Sequence, residues 1–92
     1  MVFEWDARKA EQNLKKHGVS FDEAASAFSD PFALTINDPD HSLDEPRFVT
    51  IGMTAEQRLV TIAHTDRGDA VRLIGARQAT RKERQDYEEA KR

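Results

Sequence analysis

Residues 47–78 read "RFVTIGMTAEQRLVTIAHTDRGDAVRLIGARQ", and this stretch decides the fold. Three apolar, β-branched runs, "RFVTIG", "RLVTIAHT" and "AVRLIGA", are separated only by "MTAEQ" and "DRGD". β-Branched and aromatic residues suit a pleated, half-buried surface, and connections this short close hairpins. Three consecutive antiparallel strands are predicted. The middle run is apolar on both faces and is therefore central.

Upstream, "VFEW" is a short β-prone run. Asp6 then caps a helix whose apolar positions Ala7, Ala10 and Leu14 form one stripe. Lys15, Lys16 and His17 fall in its last turn, where positive charge is favoured, and Gly18 supplies the left-handed stop. "SFDE" (Ser20–Glu23) reads as a capping box opening a second helix with Phe21, Ala24, Ala25 and Phe28 on its buried stripe. That helix ends by Pro31. "PFALTI" alternates as a strand, and "NDPDHSLDEP" is an acidic loop. Downstream, Thr80 to Glu83 forms another capping box and opens a last helix. Only Ala79, Tyr87 and Ala90 offer it anything to bury. The predicted order is β-α-α-β-β-β-β-α, an α+β fold with a small antiparallel sheet packed by helices. A length of 92 residues bounds it to a single domain, 1–92.

Composition narrows the function classes. There is no cysteine, which excludes disulfides and thiolate metal sites. No apolar run approaches the roughly 18 residues of a membrane span, and the N-terminus lacks the pattern of a signal peptide, so the expected compartment is the cytoplasm. The net charge of −3 conceals a gradient. Residues 1–46 carry four Lys/Arg against ten Asp/Glu, whereas residues 47–92 carry ten against seven. From Arg67 to Arg84 there are six positive side chains and two negative ones. The second half is thus suited to an anionic partner, or else presents a solvated basic face.

Closing both hairpins on the loops named above sets Arg47 opposite Ala63 and Ala63 opposite Arg72. Paired residues share a face. Two arginines across a small alanine would then hold a planar anion, with Arg67 and His64 at the same end of the sheet. His64 points to the other face in this register but lies near the strand end, where alternation loosens. In this register Arg58 and Arg77 pair at the other end. Arg77, Arg81, Lys82 and Arg84 make a second basic cluster beside the free N–H groups of the last helix. His64 is the only histidine of the basic half and the candidate acid–base residue. Glu83 is a capping residue or, alternatively, a base. His17 reads as a helix-end residue. His41 lies among Asp38, Asp40 and Asp44, but the spacing matches no metal-binding loop, so no metal and no cofactor are expected.

The segments "FEWD", "NLKKHGVSFDEAASAFSDP", "DHSLDEPRFVTIGMT", "VTIAHTDRG" and "VRLIGARQATRKERQDYEE" resemble, in this order, the BrnT family of type II toxins. The resemblance implies a RelE-like ribonuclease architecture and inhibition of translation by RNA cleavage. It also implies a BrnA-type antitoxin with a ribbon-helix-helix part, with DNA contacted only through the toxin–antitoxin complex. The chain departs from the family pattern at Gly75, where a serine is frequent, and at Gln57-Arg58, where the turn is often Gly-Arg. A non-catalytic RNA- or protein-binding module of the same fold is the competing expectation.

Overall fold

The computed structural model describes residues 1–38, 40 and 45–92. The chain runs through β1 (Val2–Glu4), α1 (Ala7–His17), α2 (Phe21–Ser26), a 3-10 turn (Ala27–Ser29), β2 (Leu34–Asn37), β3 (Arg47–Met53), β4 (Leu59–Arg67), β5 (Ala70–Gln78) and α3 (Arg81–Ala90). The order of elements is that predicted, and the sheet order is β1-β5-β4-β3-β2, with β4 in the centre. The sheet is mixed rather than purely antiparallel, because β1 pairs with β5 in parallel. The hairpins and the β2–β3 connection reverse the chain three times after β2. Since β2 itself runs against β1, β5 is left pointing the same way as β1.

The caps follow the sequence signals. Asp6 accepts the Lys9 N–H at 3.0 Å, and Gly18 ends α1 at φ +70°, a left-handed conformation that costs glycine little. Ser20 accepts the Glu23 N–H, but the Glu23 carboxylate does not return to close a capping box. Instead it accepts from Thr54 Oγ1 and from Arg58, whose guanidinium also donates to the Gly18 carbonyl. The Arg58 bond holds Glu23 at a pKa of about 2. This clamp fastens the β3–β4 turn to the start of α2. Arg58 therefore does not pair with Arg77 across the sheet.

α1, α2 and the 3-10 turn cover one face of the sheet. Val19, Phe21, Ala24 and Ala27 meet Val60, Ile62, Leu73 and Ala76 there, with Trp5 edge-on to Phe21. The approach is close at Gly52, where a Cβ would stand 2.9 Å from the Ala27 carbonyl oxygen. β1 ends at Glu4, and beyond it the edge of β5 is taken up by a side chain. Asn13 donates to the carbonyls of Ala76 and Val19 and accepts the Ala76 N–H, satisfying backbone groups that a neighbouring strand would otherwise pair.

α3 crosses part of the opposite face. Its capping box is complete, with Thr80 and Glu83 exchanging hydrogen bonds. Tyr87 is its anchor, 2% exposed, in a small core with Ile51 and Leu59. The Tyr87 hydroxyl donates to Asp30 at 2.6 Å, and burial together with that bond pushes its pKa up to about 12.

Candidate active site

The face that α3 only partly covers carries rows of paired side chains. One row is Leu34, Ile51, Thr61 and Arg77; the next is Ile36, Val49, Ala63 and Gly75; a third is Arg47, Thr65 and Arg72, ending on Glu4 of β1. The observed register sets Arg47 and Arg72 across Thr65, not Ala63. The five-residue β3–β4 loop sits one residue later than expected, with Met53 opposite Leu59, and the β4–β5 turn tightens from four residues to two, with Arg67 opposite Ala70. The shift leaves both arginines on one face.

Small side chains in the second row leave a groove of about 410 Å³. Val49, Ala63 and Gly75 line its floor, and Arg77 and Glu83 stand at its wall. Asn13 and His17 reach it from α1. A bulge in β5 shapes this site. His64 pairs with Leu73 while Ala63 pairs with Gly75, so Ile74 is the extra residue. Without it Arg77 would point to the opposite face.

Arg77 is fixed by a two-pronged ion pair, with N–H···O distances of 2.7 and 2.9 Å to the two oxygens of Glu83. Glu83 also accepts from Thr61 Oγ1 and the Thr80 N–H. The Arg77 bonds hold Glu83 down at a pKa of about 2, against the opposing effect of burial. A carboxylate so saturated is a weak base. It acts as cap and arginine holder, while Arg77, 43% exposed at its side chain, keeps access to the groove.

The other sequence candidates separate. Arg72 lies 3.9 Å from Glu4, and Arg67 bonds Glu45 at 3.1 Å, both at the end of the sheet beyond the groove. Arg81 and Arg84 are exposed on the first turn of α3, and Lys82 pairs with Asp86. His64 is placed away from all of them. It is 4% exposed on the helix-covered face, between the rings of Phe28 and Phe48, with Nε2 2.7 Å from Thr50 Oγ1. Burial lowers its pKa, a cost only partly offset by Asp66. His41 and Asp44 lie outside the described residues. Among the described residues no group of three or more His, Cys, Asp or Glu side chains is arranged to hold a metal ion.

From α1 the groove takes Asn13 and His17, which sequence reasoning did not assign to it. Both stand in the segment "NLKKHGVSF" that carries the family resemblance, and helix periodicity puts them on one face of α1, but neither signal says what that face meets. A second, basic notch lined by Lys9, Lys16 and Ile74 shares Asn13, His17 and Gly75 with the groove.

Residues 5–83 match the family described as the ribonuclease toxin, BrnT, of type II toxin-antitoxin systems. The chain belongs to the BrnT family. The fold is similar to that of the Brucella abortus ribonuclease toxin BrnT, with a TM-score of 0.67 at 21% identity, covering 88% of this chain and 100% of that one. No curated protein sequence matches. Membership of the BrnT family makes the chain a ribonuclease toxin and implies an antitoxin partner. No helix is long and apolar enough to cross a membrane among the described residues.

Proposed function

We propose that this BrnT-family chain is a metal-independent endoribonuclease that uses the RNA 2′-OH as its nucleophile and thereby inhibits translation. The observation that carries the reading is the groove on the open face, with Arg77 fixed at its wall by Glu83 and Arg47 and Arg72 in the adjoining row. RNA carries its own nucleophile. The 2′ oxygen bonds to phosphorus, the P–O5′ bond breaks, and a 2′,3′-cyclic phosphate and a 5′-OH result. The negative charge that builds on the phosphorane needs permanent, oriented cations, and arginine supplies charge in a forked geometry that fits phosphate oxygens. Arg77 at the groove wall serves the scissile phosphate, and Arg47, Arg72 and Arg67 serve phosphates of the strand beyond it. Carboxylates lie close to Arg77, Arg72 and Arg67, and displacing the loosely held Glu4 would release Arg72 for phosphate.

The partner is a BrnA-type ribbon-helix-helix antitoxin, with DNA bound only through the complex. Arg81, Lys82 and Arg84 on α3 are its docking charges. The enzymatic reading is tested by cleavage of single-stranded RNA in the presence of a chelator, with DNA of equal sequence as control. RNA cleavage that survives chelation, spares DNA and leaves cyclic phosphate ends is expected. Loss of cleavage in chelator, or equal cutting of DNA, would overturn the 2′-OH mechanism.

A further inference from the structure

We propose that His17 is the general base of the groove, accepting the 2′-OH proton as the 2′-oxygen–phosphorus bond forms; this rests on the ribonuclease reading above. Among the described residues, the titratable groups that line the groove are His17, Asp38, Arg77 and Glu83. Arg77 stays charged, its guanidinium further stabilised in that form by Glu83. Glu83 accepts four hydrogen bonds, and its carboxylate is too weakly basic to take a hydroxyl proton. His64, the other described histidine of this chain besides His17, is on the far face of the sheet under two phenylalanine rings. His17 is half-buried at the last turn of α1, and its helix is held against β5 by the Asn13 bonds to Ala76, one turn before His17.

Imidazole is the side chain best suited to proton transfer near neutrality. As the 2′-O–P bond forms, neutral His17 takes the proton; as the P–O5′ bond breaks, the leaving 5′ oxygen takes one from water. The charged groups around His17 come from every element of the groove: Lys16 and Lys9 on α1, Arg77 on β5, Glu83 on α3 and Asp38 after β2. Among these side-chain types, imidazole alone exchanges its proton readily near neutral pH.

The experiment compares wild type, His17→Gln, His17→Ala and His17→Lys for RNA cleavage across pH, with urea unfolding as the fold control. The lysine variant keeps the positive charge favoured at a helix C-terminus but holds its proton at neutral pH. The expected result is a fall in kcat of about 10²–10⁴-fold in all three variants. KM should stay within a few-fold, the acid limb of the wild-type pH profile should vanish, and added imidazole should partly restore His17→Ala. Folded variants that keep the wild-type kcat and acid limb would overturn the assignment of His17 while leaving the ribonuclease reading intact. A wild-type protein that does not cleave RNA would overturn both.

Discussion

Arg72 and Arg77 stand on the same face of β5 although an odd number of positions separates them. On a regular strand they would point to opposite faces, since side chains alternate with period two. The bulge at Ile74 absorbs the odd residue, so both guanidinium groups reach the face that carries the groove. For these residues we expect Arg77→Ala to lose about 3 kcal/mol of transition-state stabilisation, the scale of one lost oxyanion donor. Arg77→Lys should recover little, because a lysine cannot keep the two-pronged bond to Glu83 and a phosphate contact together. Arg72→Ala and Arg47→Ala should fall short of that loss. Single-turnover RNA cleavage with folded variants decides it; wild-type rates in Arg77→Ala would remove Arg77 from the chemistry.

The exposed start of α3 tests the antitoxin contact. Arg81→Glu with Arg84→Glu should weaken antitoxin binding and flatten its dependence on salt, because charge pairs at a rim are screened by ions. Neither residue touches the Tyr87 core that anchors the helix, so the fold should persist. Titrations at two salt concentrations give the answer, and unchanged affinity and slope would place the partner elsewhere.

His64 gives stability a dependence on pH. Burial depresses its pKa below 6.5, so the folded state resists protonation more than the unfolded chain does. The stabilisation is complete above pH 6.5 and declines as pH falls below it toward the folded value. Urea midpoints measured from about pH 8 down to about pH 5 should fall for the wild type, whereas His64→Phe should flatten this portion of the curve. An equal decline in the variant would assign the effect to another group.

Gln57 occupies φ +68° in the β3–β4 turn, a conformation that a side chain disfavours and glycine accepts. Gln57→Gly should therefore stabilise the protein by up to ~1 kcal/mol, after allowing for the extra freedom of glycine in the unfolded chain. For a domain of this size that corresponds to a rise in Tm of roughly 4–8 °C. Calorimetry that shows a lower Tm would mean that the Gln57 side chain makes a contribution exceeding its backbone strain.

Local signals in the sequence determined the elements of this protein. Alternating β-branched runs with short links specified the meander, Asp6, Ser20, Thr80 and Gly18 specified helix ends, and the concentration of arginine after residue 47 marked the basic half of the chain. These are short-range properties, set by backbone sterics, hydrogen-bond caps and composition. The site depended on relations that no local pattern encodes. Where each turn falls is decided by packing along whole strands: the five-residue β3–β4 loop slid by one residue, which moved the partner of Arg47 from Ala63 to Thr65, and the β4–β5 turn closed one pair further in, which moved the partner of Arg72 likewise. One inserted residue, Ile74, reversed which face Arg77 occupies. The docking of α1 along the unpaired edge of β5, through Asn13, carried His17 into the groove, while strand alternation buried His64 beneath Phe28 and Phe48. Alternation along β4 already set His64 on the face opposite Ala63 and Thr65, whereas only long-range packing brought His17 to the groove.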